Sequence, residues 1–283
     1  MELAAIGTGA SGRGAGTPPP LPRARGTVAV EAVRRGGRSV LADLGQAGSA
    51  KALFPRGEGP MLDAVLINTA GGIAGGDVFS YAGRAGAGAW LGMTTQAAER
   101  AYRARLGEVG EISVRLGAEP GGRIDWLPQE TILFDGSALR RRLEVDLAGD
   151  ARLLAVEAVV FGRAAMGERL TGFGFVDEWR VRRDGRLVHA EALRLAGPAA
   201  GLGRPARLGG ARAMASVLLA GAEAADLVAP LRRLLVGEAG ASLVRPGVLA
   251  VRMLAPDGYD LRRRLLPVLE LLRGAALPGM WKM

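Results

Sequence analysis

Residues 66–77 read LINTAGGIAGGD, and this stretch decides how the surrounding chain is organised. Two glycine pairs, Gly71-Gly72 and Gly75-Gly76, flank Ile73-Ala74, and the stretch ends on the carboxylate of Asp77. Glycine lacks a Cβ atom, so it reaches positive φ angles and lets another part of the backbone come close. The stretch therefore predicts a tight, irregular turn rather than a helix or a strand.

Two further blocks follow this turn in a fixed order. Residues 94–103 read TTQAAERAYR, and residues 125–134 read DWLPQETILF. An apolar run at residues 62–67 leads directly into the glycine turn. The order of the three blocks characterises the chain more strongly than any one of them.

Composition limits the class of protein. The 283 residues are 49% apolar, which suffices for a substantial core in one large domain or two small ones. The net charge of +9 comes almost entirely from arginine, because Lys51 and Lys282 are the only lysines. Nucleic acid, an anionic membrane surface or acidic proteins would suit this charge, but Arg- and Ala-rich codon usage is the favoured explanation.

Several classes of site and location are excluded or disfavoured. The chain has no cysteine, which excludes disulfides, zinc ribbons and thiol catalysis. No apolar run approaches the ~18–20 residues that span a bilayer. Residues 1–26 are rich in Gly and Pro without an apolar core, so they predict a flexible lead-in rather than a secretory signal. We therefore expect a cytoplasmic protein without a membrane association.

Most of the chain from residue 27 onward has the pattern of strands. Residues 28–41 predict a hairpin around Gly36-Gly37, and residues 111–118 and 139–147 alternate apolar and polar side chains. Within residues 152–161, the run from Leu153 to Phe161 is apolar at both odd and even positions apart from Glu157, which predicts a central strand covered on both faces.

A second hairpin is predicted around Asp184-Gly185, a strong two-residue turn signal. Pairing Arg183 with Arg186 places Trp179 on a mainly apolar face. The same register places His189 on the opposite, polar face.

The last third of the chain introduces helices. Residues 216–220 and 243–254 predict strands, whereas residues 227–235 have helical spacing. Asp257 is a candidate cap for a final helix, and Pro230 and Pro267 predict late starts or kinks. The expected fold is mainly β, with a single large β-rich domain of layered sheets over residues 27–283 and two helices near the C-terminus.

The residues offer little support for catalysis. His189 is the single histidine and predicts a surface side chain, and no G-x-S-x-G elbow occurs. The glycine stretch is neither a G-x-G-x-x-G fingerprint nor a P-loop, since no Lys-Ser/Thr pair follows it. A phosphorylated ligand held by residues 71–77 remains an alternative, but a structural turn is the better interpretation.

Lone carboxylates and two arginine runs are the remaining candidate functional residues. Asp77, Glu130, Glu157 and Glu168 lie in apolar or glycine-rich settings, where a carboxylate needs a partner or a metal. Salt bridges to Arg100, Arg103 or Arg163 are the simpler explanation, and weak oxygen ligation of a metal stays open. The arginine runs 140–142 and 262–264 predict solvated faces rather than a nucleic-acid site. These residues favour a scaffold or binding protein over an enzyme.

The ordered blocks resemble the urease accessory protein family UreD, also called UreH. The similarity lies in residues 68–77, 94–103 and 126–132, the last reading WLPQETI, and it continues through GRAAMGE at 162–168 and LPGMW at 277–281. It covers roughly residues 27–283. Gly71, Gly72, Gly75 and Gly76, with Trp126 and Pro128, are its structural motif.

The resemblance implies a non-catalytic chaperone for nickel insertion, with a mainly β fold. Members of the family bind the urease apoprotein and the helical partner UreF, which recruits the GTPase UreG. Nickel is thought to pass from UreG toward the urease active site through the UreF–UreD body. No tightly bound cofactor is implied, only Ni²⁺ in transit.

The resemblance also suggests residues for that passage. The family's motif carboxylates fall on Asp77, Glu130 and Glu168, and its motif arginine falls on Arg163. We expect some of them to line the passage and hold nickel weakly. Glu157 joins these candidates as a lone acid in an apolar strand. Buried ion pairs that shape the fold are the alternative role for all of them.

Overall fold

Two β-sheets packed face to face, with two helices against the second sheet, make up the architecture. The computed structural model describes residues 22–57, 59–163, 166–168, 170–204 and 207–282. The predicted lead-in over residues 1–26 falls largely outside these residues. The first strand begins at Arg25, just before the predicted start of the domain.

The first sheet has seven strands, five of them parallel. In spatial order they are β14 (Arg186–Pro198), β13 (Gly172–Arg183), β11 (Ala138–Leu147), β8 (Gly110–Ala118), β5 (Val78–Ala85), β1 (Arg25–Arg35) and β2 (Arg38–Gly48). The strands from β13 to β1 run parallel. The edge strands β14 and β2 close the sheet as antiparallel hairpins.

The second sheet has ten strands. Its main path is β16 (Ala239–Arg245), β17 (Val248–Ala255), β15 (Ala213–Ala220), β12 (Arg152–Phe161), β9 (Arg123–Leu127), β6 (Trp90–Thr95), β4 (Leu62–Asn68) and β3 (Ala50–Leu53). A side branch consists of β10 (Thr131–Leu133), which pairs with β12, and β7 (Glu99–Ala101), which pairs with β10.

Successive strands alternate between the two sheets. From β8 the chain crosses to β9 and β10, returns to β11, crosses to β12 and returns to β13. Parallel neighbours need a long crossover, which is usually a helix. Here a strand of the opposite sheet serves as the crossover. The loops that connect the two sheets therefore lie side by side at each end of the sandwich.

Helices α1 (Ala224–Leu234) and α2 (Gly258–Arg273) cover the outer face of the ten-stranded sheet. Asp257 caps α2 as predicted, since its Oδ1 accepts a hydrogen bond from the Asp260 N–H at 2.8 Å. Both helices begin before their prolines and continue through them, so the predicted late starts are wrong. Within the described residues, no helix is long and apolar enough to cross a membrane.

Strand β12 lies at the centre of both hydrophobic cores. Leu153 and Ala155 pack between the sheets, whereas Leu154 and Val156 pack under the helices. The prediction of a strand covered on both faces is confirmed. The predicted class, a mainly β fold of layered sheets with two C-terminal helices, is confirmed as well.

The hairpin β13–β14 turns at Asp184-Gly185 as predicted, but its register differs. Arg183 pairs with Arg186, and a bulge then shifts the pairing by one residue, so that Val181 lies opposite His189. His189 consequently faces inward on the side of Trp179, with its side chain 11% exposed. The predicted position of His189 on the polar outer face is therefore wrong. The bulge inserts one extra residue, so every later residue of the strand points to the face opposite to the one predicted.

The C-terminal segment packs onto the sandwich beside α2. Trp281 is buried, and its indole N–H donates to the Leu127 carbonyl at 3.0 Å. Arg262 of α2 stacks on the Trp281 ring and donates to the Trp281 carbonyl at 2.9 Å. The C-terminal segment thus contacts both α2 and the end of β9 and connects them.

Removing the Trp281 side chain tests this attachment. We expect Trp281→Ala to lower the free energy of unfolding by about 3–5 kcal/mol, because it leaves a cavity and unpairs the Leu127 carbonyl. The adjacent exposed residue supplies the control, and Lys282→Ala should change stability by less than about 0.5 kcal/mol. Urea denaturation of both variants measures the difference. Equal midpoints would show that the segment does not contribute to stability.

Candidate functional site

Parts of the sequence blocks meet at one end of the sandwich, which we call the motif end and define as residues 68–77, 102–109, 134–137, 162–163, 166–168 and 170–171. Backbone hydrogen bonds connect neighbouring segments there. The Ile73 N–H donates to Arg100 at 2.7 Å, and the Ala104 N–H donates to Gly136 at 3.0 Å. The alternation of strands between sheets brings these distant parts of the chain together.

The glycine stretch forms a close-packed turn at the motif end. Gly72 has φ +154°, and a Cβ on it would lie 2.2 Å from Tyr102 Cε2. A Cβ on Gly75 would lie 2.9 Å from the Ala104 Cβ. The Tyr102 hydroxyl donates to the Gly71 carbonyl at 2.9 Å. The glycines therefore let the turn pack against the segment that follows β7.

Asp77 holds this turn together. Its Oδ1 accepts the Ala24 N–H at 2.8 Å, and its Oδ2 accepts the Ala74 N–H at 2.7 Å. The carboxylate is buried. Both oxygens thus satisfy backbone donors that would otherwise lie unpaired below the surface.

Arg163 and Glu168 form an ion pair within one loop of the motif end. The Arg163 Nη2 lies 2.9 Å from Glu168 Oε1, and the Arg163 N–H donates to Oε2 at 2.9 Å. These hydrogen bonds lower the pKa of Glu168. The guanidinium also stacks 4.3 Å over the ring of Phe134, which joins this loop to its neighbour.

Glu130 lies at a break between two strands. Strand β9 ends at Leu127, and β10 starts at Thr131, so residues 128–130 leave the ladder beside β12. Pro128 has no N–H to donate to a neighbouring strand. The Gln129 N–H donates to the side-chain Oγ1 of Thr95 at 2.9 Å. The Glu130 carboxylate is partly exposed and lies 3.7 Å from Arg262.

Glu157 belongs to a buried ion cluster that crosses between the sheets. Its Oε2 lies 2.5 Å from Arg141 Nη1, and its Oε1 accepts the Trp126 indole N–H at 2.8 Å. Arg141 also binds both carboxylate oxygens of Asp177, at 3.1 and 2.7 Å. Arg141 and Asp177 are paired neighbours in β11 and β13, whereas Glu157 comes from β12 of the opposite sheet.

The position of Arg141 corrects the prediction of a solvated arginine run at residues 140–142. Arg141 is 2% exposed, because it shares the inward parity of β11 with Leu139 and Leu143. Burial raises the pKa of Glu157 to about 7, against the attraction of Arg141. One guanidinium therefore neutralises two buried carboxylates only in part.

A second buried cluster joins α2 to the ten-stranded sheet. Arg273 is fully buried, and its guanidinium binds Asp125 Oδ2 at 2.9 Å and Asp63 Oδ1 at 2.6 Å. The Trp90 indole N–H donates to the same Asp125 oxygen at 2.7 Å. This cluster anchors the C-terminal end of α2.

A small cavity of about 120 Å³ opens beside the glycine turn. Asn68, Tyr81, Gln96 and Glu99 are among the residues that line it. The Asn68 amide lies 3.2 Å from both Glu99 carboxylate oxygens. Burial raises the pKa of Glu99 despite this hydrogen bond.

The structure brings together only part of the predicted set. Arg163 and Glu168 are paired, whereas Asp77, Glu130 and Glu157 each have different partners. In the part of the chain that the structure describes, no three His, Cys, Asp or Glu side chains lie close enough to hold a metal ion.

Sequence reasoning missed several charges that are buried or partly buried: Asp63, Glu99, Asp125, Arg141, Asp177 and Arg273. A signal existed for two of them. Arg141 lies on the same face of its strand as Leu139 and Leu143, and Asp177 lies on the same face as Phe175 and Trp179. Both charges therefore occupy the apolar face of a strand. A charge on the buried parity of two strands indicates an internal pair.

The chain is similar to known proteins over nearly its whole length. The family model for UreD urease accessory protein matches residues 24–282. Among similar proteins, the urease accessory protein UreD of Roseobacter denitrificans is 48% identical over 268 residues, covering 94% of this chain and 98% of the relative. The corresponding protein of Xanthobacter autotrophicus is 49% identical over 263 residues, covering 92% and 90%. That of Brucella suis is 48% identical over 268 residues, covering 93% and 95%.

Replacing Arg141 tests the ion cluster between the sheets. We expect Arg141→Met to lower the free energy of unfolding by about 3–5 kcal/mol, because Glu157 and Asp177 stay buried without a counter-charge. Arg142→Met removes the neighbouring exposed pair with Glu178 and should cost at most about 1 kcal/mol. Guanidinium denaturation provides the measurement. A loss of similar size in both variants would contradict the cluster's role.

The titration of Glu157 gives a pH-dependent prediction. Its pKa is raised from 4.5 to about 7 in the folded chain, so its contribution to stability is full below pH 4.5 and is lost as pH rises through 7. Glu157→Gln cannot titrate, so wild type should lose stability relative to this variant between about pH 5 and about pH 8. Urea midpoints at several pH values measure the difference. A constant difference would mean that Glu157 does not titrate in this range.

Proposed function

Because the chain belongs to the UreD family of urease accessory proteins, we propose that it is a non-catalytic scaffold for urease maturation. It binds the urease apoprotein and UreF, and it supports the delivery of nickel from UreG into the urease active site. The observation that carries this proposal is the match of the family over residues 24–282. The proposed place of action is the cytoplasm.

The state of the polar side chains supports a scaffold rather than an enzyme. Asp77 and Glu168 use their oxygens to hold backbone N–H groups and a guanidinium. His189 lies near the β13–β14 turn, at the opposite end of the sandwich from the motif end. In the described part of these blocks, the carboxylates of Asp77 and Glu168 thus hold the local backbone in place, which supports a structural role.

The glycine turn also argues against the alternative of a phosphorylated ligand. A phosphate cradle needs free backbone N–H groups that point at the ligand. In this turn the N–H groups of Gly71, Ile73, Ala74, Gly76 and Asp77 all donate to acceptors within the chain. A ligand that depends on these donors would have to break the turn.

The two arginine runs are largely used inside the chain, which supports a protein rather than a nucleic-acid partner. Arg141 is buried, and Arg142 pairs with Glu178. Arg262 binds Gln129, while Arg263 and Arg264 pair with Asp260. A nucleic-acid site would need such groups free for phosphates.

Nickel enters the proposal as cargo in transit. Cargo must be held loosely enough to leave, and carboxylate oxygens bind late first-row metals more weakly than imidazole or thiolate does. Asp77, Glu130, Glu157 and Glu168, with Arg163, are the proposed residues along its path. The partly exposed Glu130 is best placed for a first contact, whereas Glu157 would have to exchange Arg141 for the metal. No tightly bound cofactor is proposed.

Co-purification tests the scaffold role. The chain is expressed with its cognate urease subunits and UreF, and the recovered mass is read by light scattering at moderate salt. We expect a stoichiometric complex. A monomer that associates with neither partner would refute the proposal, and stabilisation of that monomer by nucleotides would favour the phosphorylated-ligand alternative.

Carboxylate variants test the nickel path. We expect Asp77→Ala and Glu168→Ala to lower the nickel content of the co-expressed urease, because each removes oxygens that would hold the metal in passage. Glu168→Gln keeps the side-chain shape, and Glu144→Ala removes an exposed carboxylate of β11 as a control. Metal analysis of purified urease is the readout, with complex yield measured in parallel. If nickel content and assembly are unchanged in all variants, the proposed path is wrong.

A further inference from the structure

The last strand of the seven-stranded sheet, β14, has an open outer edge. The strand is 13 residues long and pairs with β13 along its inner side. Among the described residues, the side chain that bonds to the outer backbone edge is Arg245, whose Nη1 donates to the Leu187 carbonyl at 3.2 Å. An edge of this kind presents unpaired backbone N–H and C=O groups, so it is a template for a strand of another chain.

Open space lies beside this edge, above β16. Glu191 of β14 accepts hydrogen bonds from Ser216 of β15 and Arg252 of β17, at 3.3 and 2.6 Å, so β14 lies over these two strands. Strand β16 is the next strand outward from β17. Its Gly240 lies directly opposite Arg252 and therefore faces the side on which β14 lies. Gly240 and Ser242 are nevertheless exposed, and a Cβ on Gly240 would meet nothing within 4 Å.

We call this space the lane and define it by the outer edge of β14 and by Gly240 and Ser242 below. Neighbouring strands lie about 4.8 Å apart within a sheet, and packed sheets lie about 10 Å apart. A strand added to β14 would therefore lie above β16, in line with the rest of the sandwich. The side chains that it directed inward would meet only glycine and serine there, which leaves room for large apolar groups.

The neighbouring edge of the ten-stranded sheet is protected, in contrast to β14. Helix α1 packs against β16, the edge strand on this side. Arg232 of α1 donates from Nε and Nη2 to the Ala241 carbonyl of β16, at 3.0 and 2.8 Å. Covering an edge with a helix and a charged side chain is a common way to prevent strand addition. Of these two adjacent edges, that of β14 is the one open to another chain.

The residues at the start of the lane favour an acidic partner. Arg186 and Arg245 are exposed, and neither forms an ion pair with a described residue. The hydrogen bond from Arg245 to Leu187 places the two arginines close together. Leu187 and Val244 are their neighbours in the chain, and each is 49% exposed. Two unpaired guanidinium groups beside two apolar side chains suit a segment that carries both carboxylates and apolar residues.

We propose that β14 binds an extended, acidic segment of the urease apoprotein as an additional strand in the lane. The proposal rests on the scaffold function above, which supplies two partners. A helical partner such as UreF satisfies its backbone groups internally and leaves none for a sheet edge, so the strand is assigned to urease. A second copy of the chain fits poorly, because the net charge of +9 on each copy opposes their association.

Filling the lane tests the proposal. Gly240→Trp and Ser242→Trp each place a large side chain in the lane, and the Cβ that the first introduces has no neighbour to displace. Gly57→Trp is the matched control, because a Cβ on this exposed glycine also meets nothing within 4 Å. Each variant is co-expressed with the urease subunits and, separately, with UreF. Urea midpoints show that the variants are folded.

We expect Gly240→Trp to recover at least about tenfold less urease than the wild-type chain, because it removes the backbone hydrogen bonds of the added strand. Its recovery of UreF should stay at the wild-type level, and Gly57→Trp should recover both partners normally. In the wild-type complex with urease, the backbone amides of residues 190–196 should exchange hydrogen more slowly than in the free chain. Unchanged exchange, or normal urease recovery by both lane variants, would overturn the strand addition and leave the scaffold function intact.

Charge reversal provides a second test that does not depend on filling the lane. Arg186→Glu combined with Arg245→Glu should recover at least about threefold less urease. Arg34→Glu combined with Arg35→Glu changes the net charge equally at another exposed turn and should recover the wild-type amount. Loss of UreF instead of urease, or a dimer of the isolated chain that Gly240→Trp abolishes, would overturn the assignment to urease. Failure of the wild-type chain to recover either partner would instead refute the scaffold function.

Discussion

One buried guanidinium, that of Arg141, sets how the two sheets face each other. It binds Asp177 on the neighbouring strand and Glu157 on the opposite sheet, at distances between 2.5 and 3.1 Å. Desolvating such charges costs about as much as their attraction returns, so the cluster adds little net stability. Its effect is on geometry, because any other alignment of β11, β12 and β13 would leave a buried charge unpaired.

The geometry set by this cluster extends to the motif end. Glu157 also accepts the Trp126 indole, and Trp126 leads into the break at residues 128–130. At the break the Gln129 N–H donates a hydrogen bond to Thr95 Oγ1, and the strand that follows the break pairs with β7, next to the glycine turn. The motif residues therefore support one another in positioning loops. This arrangement gives the distinctive sequence blocks a structural role.

The sequence was sufficient to predict elements that depend on local patterns. Alternation identified the strands, Asp184-Gly185 identified a turn, and Asp257 identified the start of α2. Features that depend on tertiary contacts were not predictable in this way. The bulge beside Val181 reversed the facing of His189, and local charge density made Arg141 resemble a surface residue. Family resemblance supplied Asp77, Glu130 and Glu168 as candidates, and Glu157 was added as a lone acid in an apolar strand. Only the folded chain shows that each already has a partner.

We propose that this chain matures urease by positioning its partners rather than by catalysis. The most direct measurement is the nickel content of urease purified from cells that contain or lack this chain, with UreF and UreG present in both. We expect urease loaded with nickel when the chain is present and nickel-poor urease of normal subunit composition when it is absent. Equal nickel content in the two preparations would contradict it.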